Sequence, residues 1–222
     1  MRDPNPAGRA KQSSVRTGDI ERQLAHARAG PNSKYTGVLR REFGLSIVQV
    51  LPPRIYGLRR STPTMFLDFD GTTHPFIESA LENDVEIAVE SLFCWRPLLE
   101  TALAKYPAVR IVVSSDWRHF SDDEKLREHL GPLAPRLAGV TGLAPGHSRA
   151  DYVRQVVSQY SLEHWCALDD DPSVRDAAMD EPNFIWCHPE QGLAARRVQV
   201  ALVSWLAHHG KPSATRGRRS RK

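Results

Sequence analysis

The sequence has few cysteines and none of the spacings that cysteine chemistry needs. The three thiols are Cys94, Cys166 and Cys187, and no two of them form a Cys-x-x-Cys pair. The pattern therefore argues against a zinc site and against a disulfide framework. Because unpaired thiols suit a reducing compartment, we expect a cytoplasmic protein.

Long apolar segments and nucleotide-binding loops are also missing. No apolar run approaches the length of a membrane span, so we expect no membrane partner. Residues 1–11 lack the apolar core of a signal peptide. The sequence has no Gly-rich P-loop ending in Gly-Lys-Ser/Thr. The stretch Gly146-His147-Ser148-Arg149-Ala150 lacks the preceding apolar strand that a serine-hydrolase elbow requires.

The net charge of +4 conceals three segments of different character. Residues 1–64 carry 12 Lys/Arg against 4 Asp/Glu, and residues 211–222 add 6 basic residues and no acid. Residues 65–210 hold 12 basic and 22 acidic residues. We therefore divide the chain into a basic N-terminal extension (1–64), an acidic central domain (65–210) and a basic tail (211–222).

Two interpretations of the basic N-terminal extension remain open. Its Arg- and Pro-bearing stretches have little periodicity as far as about Lys34, and we predict an extension that is disordered or a leader. It either binds nucleic acid, because Lys and Arg supply nonspecific affinity for phosphates, or is a translated leader before a functional start at Met65. We favour the leader, since a first strand that begins at Met65 needs nothing before it. The basic tail is expected to be solvated, with RNA contact as the alternative.

The most informative stretch is the apolar run Met65-Phe66-Leu67, which ends in Asp68-Phe69-Asp70-Gly71. A short apolar run bounded by a turn residue predicts a strand of a parallel sheet covered on both faces. Open α/β sheets bind ligands at the carboxyl ends of their strands, where Asp68 and Asp70 would lie. Two carboxylates at this spacing repel each other unless a cation or a proton separates them. The pattern predicts a binding site for a hard divalent cation, most simply Mg²⁺, together with a phosphate.

Two further apolar runs end in polar residues. Ile111-Val112-Val113 precedes Ser114-Ser115, whose hydroxyls could bind phosphate oxygens. Trp165-Cys166-Ala167-Leu168 precedes Asp169-Asp170-Asp171, whose acids could complete a metal site. Because parallel strands end at one edge of a sheet, we expect these groups to meet the first pair of carboxylates.

Capping residues predict two helices next to this edge. Ser148 and Asp151 form a variant of the capping box, which would place Arg149 at a helix N-terminus that favours anions. Asp171 is expected to cap a helix that begins at Pro172, because proline suits a first helical position.

The order of predicted strands and helices indicates an α/β fold with a doubly wound, mainly parallel sheet. Only the segment between Asp70 and Ser114 is available for a cap domain, and a predicted helix occupies part of it. We therefore expect a minimal cap, with a small flap over residues 72–90.

Alone, Asp68-Phe69-Asp70 could be a strand end with solvated acids or a metal–nucleotide motif of a glycosyltransferase. Together the four stretches favour a catalytic site.

The sequence resembles the haloacid dehalogenase (HAD) superfamily of phosphohydrolases over residues 65–206. Residues 66–72 resemble its first motif, Ser114 matches the second, and Asp169-Asp170 resembles an acidic-pair fourth motif. Arg149 stands where the basic third motif would lie. It departs from the more usual lysine but keeps the charge and adds a planar fork suited to phosphate.

The wider pattern resembles the HAD domains associated with bacterial RNA-repair proteins. Four stretches carry this narrower resemblance: Asp70-Gly71-Thr72-Thr73-His74-Pro75, Ser114-Ser115-Asp116-Trp117-Arg118, Leu168-Asp169-Asp170 and Gln191-Gly192-Leu193.

The resemblance implies a role for each motif residue. Asp68 would be the nucleophile that forms an aspartyl-phosphate, and Asp70 would protonate the leaving alcohol and then deprotonate the attacking water. Ser114, Ser115 and Arg149 would bind the phosphoryl oxygens. The resemblance also implies a set of Mg²⁺ ligands, namely Asp68, Asp70, Asp169 and Asp170.

His74 and Arg118 lie just beyond catalytic strands, so we predict substrate contacts for both. We expect a structural role for Trp117. The resemblance implies a Mg²⁺-dependent phosphomonoester hydrolase whose open site suits nucleic-acid ends or nucleotides. Two alternatives stay open: the same chemistry on a sugar or metabolite phosphate, and a non-enzymatic RNA-binding protein. Intact Asp68 and Asp70 argue against the non-enzymatic alternative.

Overall fold

Short apolar segments pair into one sheet in the computed structural model, which describes residues 50–76, 91–119, 121–144 and 146–210. The sheet has six strands: β1 (Arg54–Ile55), β2 (Thr64–Leu67), β3 (Arg110–Val113), β4 (Leu137–Val140), β5 (Trp165–Asp169) and β6 (Phe184–Trp186). Their spatial order is β1-β4-β3-β2-β5-β6, and all neighbours are parallel except β1 and β4. The predicted α/β fold with a doubly wound, mainly parallel sheet is confirmed.

The register of the central strands aligns the residues that follow them. Leu67 of β2 lies opposite Val113 of β3 on one side and Leu168 of β5 on the other. The Ser114 N–H donates to the Leu67 carbonyl (2.9 Å), and the Asp68 N–H donates to the Leu168 carbonyl (3.0 Å). The first polar residue after each apolar run therefore reaches the same edge of the sheet.

The described residues form five α-helices: α1 (Arg96–Leu103), α2 (Asp123–Leu130), α3 (Arg149–Tyr160), α4 (Pro172–Ala177) and, after the last strand, α5 (Arg196–His209). Short 3₁₀ segments cover Asp116–His119, Gly131–Arg136 and Gly192–Ala194. Helices α3 and α4 pack on one face of the sheet, where Val153 and Val174 join the strand residues Phe66 and Val112 in a buried cluster. No helix within the described residues is long and apolar enough to cross a membrane.

The caps of the helices agree with the sequence at two of three places. Ser148 and Asp151 form the predicted capping box of α3, and Asp171 caps α4 by accepting from the Ser173 N–H (2.8 Å). The run Ser121-Asp122-Asp123-Glu124 predicts a capping box that begins at Ser121, and the cap found at α2 differs from it. Here Asp122 is the N-cap and its carboxylate accepts from the Lys125 N–H (2.8 Å).

Residues 50–64 do not follow the expectation that the whole extension 1–64 is disordered. Strand β1 pairs antiparallel with β4, and Leu51 exchanges two backbone hydrogen bonds with Leu143 (2.9 and 2.7 Å). The domain boundary predicted between residues 64 and 65 thus cuts a segment that belongs to the sheet. Residues 1–49 and 211–222 lie outside the described residues, as do residues 77–90 of the predicted flap.

Candidate active site

Three carboxylates meet at the carboxyl edge of β2 and β5. Asp68 follows β2, Asp169 ends β5 and Asp170 comes next, and each offers an oxygen within 4.8 Å of the others. Asp68 and Asp169 are buried, and Asp170 is half-buried. We call Asp68, Asp169 and Asp170 the carboxylate cluster.

Burial and mutual repulsion both oppose ionisation of the carboxylate cluster. Burial raises the pKa of Asp68 well above its ordinary value, and the charge of Asp169 adds to the rise. Burial raises the pKa of Asp169 to about 6. The pKa of Asp170 is raised by burial and then by Asp169 and Asp70. Buried like charges of this kind are stabilised by a cation, and carboxylate oxygens are the ligands that Mg²⁺ prefers. The cluster therefore fits a divalent metal.

Arg149 lies beside the carboxylate cluster, at the start of α3. Its Nη1 is 3.4 Å from an oxygen of Asp68 and 3.8 Å from one of Asp169, and it also donates to the Ser114 carbonyl. Its Nη2 forms an ion pair with Asp116 (3.1 Å). Although burial opposes the charge, Asp116, Asp169 and Asp68 raise the pKa of Arg149 above its ordinary value. The guanidinium is a fixed positive charge next to the expected nucleophile.

The segment after β3 supplies the two predicted serines. The hydroxyl of Ser114 is buried and lies 3.4 Å from an Asp169 oxygen, to which it donates. The Ser115 hydroxyl is also buried and accepts from the backbone N–H of Trp117 (3.4 Å). Ser114 thus joins Asp68 and Arg149 at the cluster, whereas the Ser115 hydroxyl bonds to the backbone of its own turn.

Asp70 lies outside the carboxylate cluster and has its own set of contacts. The indole Nε1–H of Trp117 donates to Oδ2 of Asp70 (2.9 Å). The Nε2 atom of His74 lies 3.0 Å from Oδ1. His74 is only 2% exposed, and its Nδ1 atom lies 3.3 Å from the Thr73 hydroxyl, so both ring nitrogens have contacts within the protein. Substrate contact by His74 stays a prediction. A metal-ligand role for Asp70 stays a prediction.

Arg118 is buried, and its contacts are within the protein. Its Nη1 donates to the carbonyls of Ser114 (2.6 Å) and Ser115 (2.7 Å), and its Nη2 donates to that of Gly142 (3.1 Å). Burial, followed by the nearby charge of Arg149, lowers the pKa of Arg118 to about 10. These bonds hold the turn after β3 in place, and substrate contact by Arg118 stays a prediction.

Gly71 makes room for the carboxylate of Asp170. Its φ of +62° lies in the left-handed region that favours glycine. A Cβ at this position would lie 2.5 Å from Cγ of Asp170, far inside van der Waals contact. The Asp-x-Asp-Gly stretch therefore needs its glycine both for the turn and for the carboxylate that packs against it.

The family comparison agrees with this geometry. A family model for the HAD domain in Swiss Army Knife RNA repair proteins matches residues 64–198. The chain belongs to this family. Searches of curated proteins and of solved structures each found no match. The resemblance predicted from the motifs is confirmed. As a member of this HAD family, the protein has a domain type associated with phosphohydrolase chemistry and a buried carboxylate cluster able to hold a divalent metal.

Two residues that contact the HAD site had no predicted function. Asp116 pairs with Arg149, and Trp117, for which a structural role was expected, donates to Asp70. The available signal was their place within two or three residues of Ser114 at the end of a catalytic strand. Their partners are distant in sequence, so no local pattern indicated these contacts.

Proposed function

We propose that this HAD-domain protein is a Mg²⁺-dependent phosphomonoester hydrolase that works through an aspartyl-phosphate on Asp68. The observation that carries the proposal is the position of Asp68, which is buried in the carboxylate cluster and 3.4 Å from the Arg149 guanidinium. The guanidinium would bind the oxygens of a phosphoryl group and so place its phosphorus next to the Asp68 carboxylate, which can then attack it.

In the first step, an Asp68 oxygen forms a bond to phosphorus and the bond between phosphorus and the leaving oxygen breaks. Asp70 gives its proton to that oxygen, which leaves as an alcohol. Arg149 and the Ser114 hydroxyl are adjacent to Asp68 and Asp169, so they would bind the phosphoryl oxygens during transfer.

In the second step, a water oxygen attacks phosphorus and the bond from phosphorus to Asp68 breaks. Asp70 takes the proton of the water, so the same carboxyl serves as acid and then as base. Inorganic phosphate is released and Asp68 is restored as a carboxylate. Using a covalent intermediate divides one difficult displacement into two easier ones.

The carboxylate cluster would hold the metal. A divalent cation bound there supplies positive charge that offsets the buried carboxylates and the transferring phosphoryl group. The residues that would hold it are Asp68, Asp169 and Asp170, with Asp70 as a further proposed ligand.

The proposed substrates are phosphorylated nucleic-acid ends or nucleotides. The family's description as a HAD domain of RNA repair proteins supports this class, and the basic segments 1–64 and 211–222 add charge of the sign that binds phosphates. A cytoplasmic location is also proposed, from cysteines without paired spacing. Sugar and metabolite phosphates form the second candidate class.

A substrate screen tests the proposal. Purified protein would be assayed with phosphorylated oligonucleotides, nucleotides and sugar phosphates, with Mg²⁺ or with EDTA. We expect Mg²⁺-dependent release of phosphate, and a loss of several powers of ten in Asp68→Asn. The matched control is Asp180→Asn, an exposed carboxylate outside the site, which should retain full activity. Undiminished turnover by Asp68→Asn would refute the covalent route, and RNA binding without turnover would favour the non-enzymatic alternative.

A further inference from the structure

Asp70 has a protein contact at each of its carboxyl oxygens. The Trp117 indole N–H donates to Oδ2 at 2.9 Å, and Nε2 of His74 lies 3.0 Å from Oδ1. An indole N–H is a donor only and carries no charge. The Trp117 bond can therefore fix the rotation of the Asp70 carboxyl without changing the charge of the site.

The indole itself is held firmly by other rings. Trp117 is 8% exposed and packs edge-to-face against His129 (4.7 Å between centroids), Phe93 (5.5 Å) and Phe69 (6.0 Å). His74 also packs against Phe93 (5.2 Å). Because perpendicular rings pack on several sides, the indole has little freedom to rotate away from Asp70.

The position of Trp117 in the chain joins two parts of the site. Trp117 lies on the 3₁₀ turn Asp116–His119, which directly follows Ser114 and Ser115. The preceding residue, Asp116, pairs with Arg149 at 3.1 Å. One short turn thus contacts both the residue expected to bind phosphate and the residue expected to transfer the proton.

We propose that Trp117 is the positioning residue of Asp70: its N–H holds the carboxyl facing the leaving oxygen in the first step and the water in the second. This inference rests on the proposed function, in which Asp70 is the acid and base. A group must be held close to its productive geometry for proton transfer to be efficient, and a rotation of the carboxyl would lose that geometry.

Packing alone does not require this hydrogen bond. Trp205 of α5 is equally buried, at 8% exposure, and its indole N–H has no hydrogen-bond partner among the described residues. Among the described residues, a buried tryptophan thus occurs without a bond to its N–H. The bond from Trp117 is directed at a single functional oxygen, which indicates a role beyond filling space.

The dependence of the rate on the leaving group measures this role. Esters of acidic phenols, such as p-nitrophenyl phosphate, leave with little need of a proton, whereas alkyl phosphates depend on one. We expect Trp117→Phe, which keeps an aromatic ring but removes the N–H, to lower kcat/KM for alkyl phosphates at least tenfold more than for p-nitrophenyl phosphate. General acid catalysis contributes about 10²–10⁴ in rate, so a tenfold selective loss is a modest part of it.

The second step gives an independent readout. With p-nitrophenyl phosphate the first step stays fast in Trp117→Phe, while attack by water still needs Asp70 as base. The aspartyl-phosphate should then accumulate to a higher steady-state fraction than in the wild-type protein, as measured by acid quench. A purely structural defect would lower both steps and all esters alike.

Three variants complete the design. Trp205→Phe removes an indole N–H that has no partner in the described residues. It should leave the leaving-group profile unchanged, by which we mean the ratio of kcat/KM for alkyl phosphates to that for p-nitrophenyl phosphate. Asp70→Asn removes the proposed acid itself, so it should show the largest selective loss of kcat/KM for alkyl phosphates. If Trp117→Phe does not fold, 3-benzothienylalanine at position 117, in which sulfur replaces the N–H, preserves the shape of the indole and decides the question.

The outcomes separate the inference from the proposed function. A steep leaving-group profile in Asp70→Asn together with an unselective profile in the position-117 variants would overturn the inference and leave the proposed function intact. An unselective profile in Asp70→Asn, or no hydrolysis of any ester by the wild-type protein, would overturn the proposed function itself.

Discussion

Replacing Gly71 by alanine should disable the site through Asp170. An alanine Cβ would lie 2.5 Å from Cγ of Asp170, whereas carbon atoms in contact are about 3.5–4.0 Å apart. Either the carboxylate or the turn must therefore move by about 1 Å. Misplacement of a reacting group by this distance costs about 10²-fold in rate. We expect Gly71→Ala to lose about two powers of ten in kcat and to need more Mg²⁺ for half-maximal activity.

A second glycine separates the clash from the backbone strain. Gly57 has nearly the same conformation, with φ of +66°, but a Cβ there would meet no atom of the described residues within 4 Å. Gly57→Ala should therefore be destabilised by about 1 kcal/mol from its left-handed backbone alone and keep full activity. The assays are thermal unfolding and Mg²⁺ titration of turnover. Equal activity in the two variants, or an unchanged Mg²⁺ requirement in Gly71→Ala, would show that the close approach of Gly71 to Asp170 does not matter for the site.

Three further predictions concern the electrostatics of the site and the edge of the sheet. The pKa of Asp169 is raised to about 6, so this carboxyl stays protonated in the folded state at pH values where it has ionised in the unfolded state. The free energy of unfolding in EDTA should therefore fall as pH rises from about 4 through 6. Asp169→Asn should make this fall smaller, as measured by denaturant titrations at each pH. Arg149→Lys should raise KM for phosphate esters more than it lowers kcat, because lysine lacks the planar guanidinium that contacts both Asp68 and Asp116. A lower kcat with an unchanged KM would contradict this. A chain shortened to begin at Met65 should melt at a lower temperature than one that begins at Leu45, because it lacks β1, and equal melting temperatures would show that β1 contributes nothing.

The catalytic edge of the sheet could be predicted because each strand that forms it has a strong local pattern. The runs before Asp68, Ser114 and Asp169 are apolar, short and sharply bounded, and parallel pairing brings their ends together. The start of α3 could also be predicted, because Ser148 and Asp151 form their capping box within four residues. In these places local sequence and tertiary structure agree.

Strand β1 and the start of α1 could not be predicted from local patterns. Strand β1 has two residues, follows Pro52-Pro53 and is defined by its pairing with β4, so it carries no periodicity of its own. The helical spacing of Leu92, Trp95, Leu99 and Ala102 predicts a helix before β3 that already includes Leu92 and Trp95, yet α1 begins at Arg96. Phe93 has a left-handed backbone with φ of 60°, which is incompatible with a continuous α-helix there.

The contacts of Asp70 could not be predicted for a different reason. Trp117 is 47 residues away in sequence, and its indole reaches Asp70 only because β2 and β3 pair and end at one edge. A sequence pattern predicts which strand ends carry polar groups, but not which side chains then meet across them. Asp116 and Arg149 are brought together in the same way.

Detection of the covalent intermediate is the decisive measurement for the proposed mechanism. The protein would be mixed with Mg²⁺ and a phosphate ester, quenched in acid, digested and analysed by mass spectrometry, with Asp70→Asn included to slow the second step. We expect one phosphoryl group on the peptide that contains Asp68, released by hydroxylamine and absent from Asp68→Asn. Turnover by the wild-type protein with no phosphoryl group on Asp68 in either wild-type or Asp70→Asn protein would contradict this mechanism.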